Sequence, residues 1–365
     1  MIELFHTASG AGVAATQWAA LVGDGMLLGF SPGATDDLAC AGEIHVGVLR
    51  TVDNARGLGF VLLAGGQEAM LDLPRGGAKL QEGVRMPVQV RRPARGAKLA
   101  KVSMRIVLEG RTASLVLSES LEQIQIEPRD GSKTGTIPSA ESDRLTRMAV
   151  TIRAAAAQAS GPARIWRGRN CVADLLFRFP DALPAAVRSD TRNAAEELRR
   201  SLGDDPIGLG VDVEHVPARD WRYAPAELRD MIDEAFEPRH ALPSGGSLLV
   251  ERGETMTVID VNSGSADASS GPERVAIKTN KEAAAAIARG VRFLNLAGNI
   301  VIDFVGVRAR GQQRTLVDSL RAGFECDPAR PWIGTMSPIG LVEMSRRVLG
   351  HGPVKRLKAG DGGRP

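Results

Sequence analysis

The sequence predicts a multidomain protein of mixed α+β and α/β class. Three observations carry that expectation. Residues 42–106 hold five short apolar runs separated by Gly-rich turns, the mark of a small β-barrel. Residues 163–350 alternate apolar, β-branched runs with stretches of helix formers, the mark of α/β units. Between Thr257 and Gly306, T-V-I-D-V-N-S-G and N-I-V-I-D-F-V-G flank an Ala-rich amphipathic stretch, which reads as strand, helix, strand. A chain of 365 residues sets two or three domains as the natural expectation, and an apolar share of 43% excludes a disordered chain.

Trp18 to Val22 and Met26 to Phe30 flank Gly23-Asp24-Gly25 and read as a β-hairpin. The five barrel runs are Glu43 to Thr51, Leu58 to Leu63, Glu68 to Leu73, Met86 to Arg92 and Leu99 to Ile106. They suit an OB-type barrel. Phe60 is its one aromatic, and Arg91, Arg92, Arg95, Lys98 and Lys101 crowd one hairpin. An aromatic platform beside cations is how such barrels hold single strands. The alternative places Phe60 in the core and leaves the cations as a solvated tip. Ser114 to Leu117 reads as a strand, Glu127 to Ser142 as a polar linker, and Asp143 to Arg153 as an element of unassigned type. Arg164 to Trp166, Leu175 to Phe179 and Gly208 to Val213 read as strands. Ser189 to Leu202 and Ala224 to Phe236 read as helices, the latter with Pro225 at its first position.

Gly246 to Glu251 and Glu254 to Val261 read as an antiparallel pair. Thr279-Asn280-Lys281-Glu282 has the spacing of a capping box opening a helix that Gly298 would end. Asn299 to Val307 reads as the next strand, Gln312 to Phe324 as a helix, Trp332 to Met336 as a strand, and Ser337 to Leu349 as a final helix. The Gly- and Lys-rich tail after His351 carries no apolar period.

The 46 Lys and Arg against 43 Asp and Glu leave a net charge of +3, which by itself announces no polyanion partner. Cys40, Cys171 and Cys326 form no CxxC pair and fit a reduced, cytoplasmic setting. The N-terminus lacks a secretion-signal pattern, and no apolar run approaches a bilayer span.

Asp260 and Asp303 fall near the C-terminal ends of their strands, which a right-handed crossover makes parallel neighbours. Asn262, two residues past Asp260, lies on the same side of an extended strand. Two carboxylates and a carbonyl oxygen suit Mg²⁺ that keeps several waters and accepts a phosphate oxygen. The alternative is that each aspartate caps a neighbouring loop or helix. The stretch has no His, which argues against a zinc hydrolase, and Ser263 and Ser265 have no evident His-Asp partners.

L-P-S-G-G-S (Leu242 to Ser247), I-D-V-N-S-G (Ile259 to Gly264), K-T-N-K-E-A-A (Lys278 to Ala284), A-G-N-I-V-I-D-F (Ala297 to Phe304) and G-L-V-E-M-S-R-R (Gly340 to Arg347) together resemble the ribonuclease E/G family. G-E-I-H-V-G-V-L and G-F-V-L-L resemble the family's S1-type OB domain. The resemblance implies a Mg²⁺-dependent endoribonuclease acting on single-stranded RNA. It implies an RNase H-like subdomain (1–41 and 163–240) interrupted by an OB-fold barrel (42–106) and a reduced 5′-sensor-like region (107–162). A DNase I-like catalytic subdomain (241–350) follows, then a tail (351–365). It makes Asp260 and Asp303 ligands of one Mg²⁺, with Asn262 assisting. Phe60 stacks on RNA, Lys98 and Arg92 lie by the strand, and Arg153 and Arg330 hold a 5′-phosphate. Met70 stands where a second aromatic is expected, Ala154 where a threonine is, and Ser265 where a basic residue is. The C-P-x-C motif of the family's zinc link does not occur, so the expectation is no zinc, and a monomer or a zinc-independent dimer.

Overall fold

The computed structural model describes residues 1–8, 17–33, 39–73, 80–94, 98–118, 121–129, 137–264 and 271–350. Arg95, Ser265, the middle of the expected polar linker and the tail after His351 lie outside the described residues.

Four sheets organise the chain. The first has the order β14-β13-β1-β2-β3. Its members are β1 (Ile2–Thr7), β2 (Trp18–Gly23), β3 (Met26–Pro32), β13 (Ala186–Ser189) and β14 (Asp212–His215). Asp24 and Gly25 have φ of 48° and 81°, as a two-residue hairpin turn demands. Both faces of β2 are buried, with Ala19 and Leu21 in one core and Trp18, Ala20 and Val22 in another. The sequence therefore shows a continuous apolar run there rather than alternation.

Between β3 and β13 the chain builds a barrel from β4 (Ile44–Asp53), β5 (Leu58–Leu62), β6 (Glu68–Asp72), β7 (Arg85–Arg92) and β8 (Ala100–Ser103). The order β4-β5-β6-β8-β7 closes through a β4–β7 pairing, a five-stranded barrel compatible with an OB fold. A small sheet of β9 (Ile106–Glu109), β10 (Ala113–Leu117) and β11 (Ile124–Pro128) packs on α1 (Ser139–Gln158) through Ile106, Leu115, Leu145 and Ile152. Next, β12 (Ala163–Trp166) pairs antiparallel with β4.

Leu175 to Phe179, expected as a strand, lies within α2 (Cys171–Arg178), apart from Phe179 just beyond its end. The Asn170 side chain caps it by accepting from the Ala173 amide. Every residue of α2 is buried, including its charged pair Asp174 and Arg178, so no exposed face marks a helical period. Then come α3 (Arg192–Asp204) and α4 (Pro225–Ala235), the latter with Pro at its first position.

The last sheet has the order β15-β16-β17-β18-β20-β19. Its strands are β15 (Arg239–Ala241), β16 (Ser247–Arg252), β17 (Met256–Asn262), β18 (Gly298–Asp303), β19 (Trp332–Met336) and β20 (Leu341–Arg346). The connection from β17 to β18 is α5 (Pro272–Phe293), and α6 (Arg310–Ala322) joins β18 to β19.

Three expectations fail here. Thr279 to Glu282 does not open a helix: α5 begins seven residues earlier, and Thr279 and Asn280 are buried in mid-helix. Asn280 bonds the Val305 backbone from there, and Glu282, farther along the box, accepts from the Ser244 amide at 2.8 Å. Gly298 starts β18, and the turn out of α5 falls instead at Asn295, with φ 47°. The segment expected as a final helix is strand β20, where Val342, Met344 and Arg346 point inward. An arginine at an inward position hides the alternation. Its charge is met by Asp327 at 2.7 and 3.0 Å, and it also donates to the Asn295 side chain and the Leu296 carbonyl.

A shared core joins the first and last sheets. Phe5, Trp18 and Phe30 pack with Leu228, Ile259, Ile287 and Ile302. Buried Arg178 fastens the same junction. It pairs with Asp174 at 3.0 Å and donates to the Phe30 carbonyl and to the Arg292 and Phe293 carbonyls at the C-terminus of α5, where a cation is favoured. Among the described residues no helix is long and apolar enough to cross a membrane.

Candidate active site

The strands β17 and β18 are parallel, and their register sets Asp260 directly beside Asp303. Both strands alternate. Thr257, Ile259, Val261, Ile300 and Ile302 are buried, and Ile259, Val261, Ile300 and Ile302 share the core of α5. The aspartates thus project from the opposite, open face of two central strands, near their C-terminal ends. Asp260 is half-buried and Asp303 exposed.

Adjacent strands lie about 4.8 Å apart, so the two carboxylates are within reach of one small cation. Asn262 donates its Nδ2–H to Asp260 Oδ2 at 2.6 Å, which leaves its Oδ1 as a neutral acceptor. Among the described residues neither aspartate has an ion pair, and no third His, Cys, Asp or Glu completes a metal cluster with them. Two like charges side by side without a protein cation suit a divalent ion that brings its own waters. The donor set is all oxygen, hard, and fits Mg²⁺.

The backbone around the pair is held firmly. The Asn280 side chain, from the buried face of α5, donates to the Val305 carbonyl at 2.7 Å and accepts from the Val305 amide at 3.0 Å. That clamp fixes the chain two residues past Asp303. Gly264 has φ 56°, and a Cβ there would lie 2.3 Å from the Gly245 carbonyl oxygen. A Cβ on Gly246 would meet the Asn262 carbonyl at 2.6 Å. The S-G-G and N-S-G turns therefore pack backbone to backbone, which only glycine permits. The part of Asn280 was not legible in the sequence, where it looked like a capping residue.

On the barrel, register aligns Thr51, Phe60, Met70, Lys101 and Arg92 in one row across β4, β5, β6, β8 and β7. Their neighbours Gly59, Val61, Ala69, Leu71, Ala100 and Val102 are buried, so the row faces outward. Phe60 is half-buried on that face and is absent from the barrel core. Lys101 pairs with Asp72 at 2.6 Å, and Lys98 and Arg92 are exposed. Arg153 extends from α1 to the Glu122 carbonyl at 3.2 Å. Arg330 is exposed, with φ 48°, in the turn before β19.

Sequence reading passed over a second basic region. Arg347, just past β20, donates to Glu109 Oε1 and to the Pro328 carbonyl, each at 2.7 Å. Burial pushes the Glu109 carboxyl up, but Arg347, then Arg129 and Arg169, outweigh it and hold it below the usual range. Glu109 ends β9, while Arg129, Arg169 and Arg347 lie just past β11, just before α2 and just past β20, so only the folded chain unites them.

Comparison with known proteins agrees with the motif reading. The model of the ribonuclease E/G family matches residues 131–348, reaching well upstream of the motif-dense region. Ribonuclease E of Escherichia coli strain K12 is 30% identical over 314 residues, covering 74% of this chain and 28% of that protein. Ribonuclease E of Synechocystis sp. strain PCC 6803 is 42% identical over 167 residues, 44% of this chain and 24% of that protein. Ribonuclease G of Escherichia coli strain K12 is 30% identical over 181 residues, 49% of this chain and 37% of that protein. The chain spans less than two-fifths of the length of each of these relatives. With more than half of its residues under the family match, the chain belongs to the ribonuclease E/G family.

Proposed function

We propose that the chain is a Mg²⁺-dependent endoribonuclease that hydrolyses single-stranded RNA in RNA processing or decay. The observation that carries this reading is the registered pair Asp260 and Asp303 on the open face of the sheet, with no cation paired to either among the described residues. Family membership supplies the substrate class: the relatives named above are ribonucleases E and G.

In this reading Asp260 and Asp303 hold one Mg²⁺, and Asn262 fixes the Asp260 carboxylate through its 2.6 Å hydrogen bond. The ion would supply Lewis acidity toward a phosphodiester and would lower the pKa of the attacking water. Water oxygen adds to phosphorus, the bond to O3′ breaks, and O3′ takes a proton, leaving 5′-phosphate and 3′-hydroxyl ends. Phe60 stacks a base, Met70 beside it gives softer apolar contact, and Lys98, Lys101 and Arg92 meet phosphates. Arg153 and Arg330 would receive a 5′-terminal phosphate.

We assign the first sheet to an RNase H-like subdomain, the barrel to an S1-type OB domain and the last sheet to a DNase I-like subdomain. The protein acts in the cytoplasm, as a monomer or a dimer formed without zinc.

A second reading, an RNA-binding relative without turnover, is favoured by Met70 standing opposite Phe60 where a second ring would strengthen stacking. One assay separates the two. A 5′-labelled, A/U-rich single-stranded RNA is incubated with Mg²⁺ or with EDTA. Mg²⁺-dependent cleavage abolished by Asp303→Asn supports the enzyme. Tight binding without cleavage under any divalent ion leaves only the second reading.

A further inference from the structure

Two features have no role in the reading above. The first is Trp332, the opening residue of β19, which is 62% exposed. Register places it opposite Ser345 of β20, Ser345 opposite Asn299 of β18, and Asn299 opposite Met256 of β17. Directly paired residues share a face. Trp332 therefore stands on the same open face as Asp260 and Asp303, four residues along and two strands across from Asp303, about 16 Å away. A bare indole on a sheet face exposes a large apolar surface that a flat partner could cover.

The second feature is the basic region beside it. Arg347 reaches the Pro328 carbonyl, four residues before Trp332, and also holds Glu109. Arg105, just before β9, is exposed, and its guanidinium has no hydrogen bond or ion pair among the described residues. Arg105 and Arg91 line a hollow of about 370 Å³ together with Lys101, the cation of the Phe60 row. The Arg91 side chain in turn donates to the Arg105 carbonyl. Arg91 also lies within electrostatic reach of Glu109 and Arg347, so the cations extend from the barrel row toward the end of β20. Lys101, Arg91, Arg105 and Arg347 lie here with Asp72 and Glu109 as the carboxylates paired to them among the described residues, so these side chains keep a positive excess.

We propose that this stretch is a second contact surface for single-stranded RNA, with Arg105 and Arg347 holding backbone phosphates and Trp332 stacking a base before the strand reaches Asp303. Cations that track a backbone, with an aromatic platform for bases, are the two parts such a surface requires. The proposal rests on the reading of RNA as substrate, but not on catalysis. The base on Trp332 sets the register of the strand across the aspartates, so this residue is a positioning residue.

The test is fluorescence anisotropy with a labelled single-stranded 20-mer in EDTA, from low to moderate NaCl, on the full chain. Trp332→Ala is expected to weaken binding at least about fivefold, the low end for a lost base stack, with the salt dependence unchanged. Arg105→Gln is expected to lower the slope of log K against log salt by about 0.7, the loss of one single-strand phosphate contact, and Arg105→Lys to restore it. Phe60→Ala is the reference for the barrel row. Wild-type affinity and slope in both Trp332→Ala and Arg105→Gln, with Phe60→Ala impaired, overturn the second surface and leave the RNA reading intact. A protein with no salt-sensitive RNA binding at all overturns both. If Trp332→Ala splits a dimer in sedimentation while RNA affinity holds, the indole serves self-association and the proposal falls. Inorganic phosphate displacing the RNA at millimolar concentration, with Arg105→Gln unchanged in slope, would show a free-anion site instead. Both substituted residues are exposed, and unchanged urea midpoints establish that the variants fold.

Discussion

Asp303→Asn separates a metal pair from two structural aspartates by the sign of a stability change. Asp260 and Asp303 are registered neighbours about 5 Å apart, and neither has a protein cation among the described residues. Coulomb repulsion at that separation is about 0.8 kcal/mol in water and about 3 kcal/mol at an effective dielectric of 20. Asp303 is exposed, so the lower end applies, roughly 1 kcal/mol. Removing one charge should stabilise the metal-free protein by about that much, or raise the melting temperature by about 2–4 °C for a unit of this size. Mg²⁺ at ten times its dissociation constant should stabilise the wild type by about 1.4 kcal/mol and the variant by far less. Thermal melts of both proteins in EDTA and across a Mg²⁺ titration check this. The expected pattern is a crossover: the variant melts higher without metal and loses its lead as Mg²⁺ rises. If Asp303→Asn melts lower in EDTA, the carboxylate was making a structural bond. If both proteins gain equally from Mg²⁺, the ion binds elsewhere and the pair is not its site.

Asn280→Leu removes both bonds to Val305 and strands two backbone groups, so unfolding in urea should show a loss of about 2–4 kcal/mol. An unchanged midpoint would mean that the segment after Asp303 is held by something else. Phe60→Ala should weaken single-stranded RNA binding by about 1–3 kcal/mol with the salt slope intact, and Met70→Phe should strengthen it by stacking; opposite signs would return Phe60 to a packing role. His6 is buried, and burial pulls its pKa down to about 4 against a partial upward pull from Asp190. The unfolded chain takes up that proton near pH 6.5 and the folded chain only near 4. Stability should therefore fall as pH drops through that window, by about 3 kcal/mol at its lower end. His6→Asn should flatten that part of a urea-midpoint profile.

The aspartate pair was legible because two signals coincide at it. A β-branched run, an amphipathic helix and a second β-branched run dictate a parallel pair, and the same offset in each run dictates the register. The barrel was legible for a similar reason, since its turns carry the residues its loops need. What failed shares one physical cause. In α2 every side is buried, in α5 Thr279 and Asn280 are polar but inside, and in β20 an arginine points inward. Local pattern rules assume that polar means outward. Arg178, Asn280 and Arg346 break that assumption because partners far along the chain satisfy them. The cluster of three arginines around Glu109 was illegible for a related reason, being drawn from three distant parts of the chain.

Alternation on the last sheet also predicts how substitutions divide. Inward Ile259, Ile300, Ile302, Val342 and Met344 share the core that joins this sheet to the first one. Truncating any of them opens a cavity in a junction already fixed by Arg178, and typical losses for Ile or Met to Ala are about 2–5 kcal/mol. Outward Asp260, Asn262, Asp303 and Trp332 touch little of that core, so their replacement leaves the fold standing. A residue's parity along β17, β18 or β20 should therefore decide whether its loss is read in an unfolding curve or in RNA handling. Arg346 is the instructive exception. It is inward yet charged, and its removal leaves Asp327 buried and unpaired, a situation that costs about 3–5 kcal/mol. A motif residue in this family can thus be indispensable without coming near RNA, and unfolding must be measured before such a loss of activity is ascribed to the site.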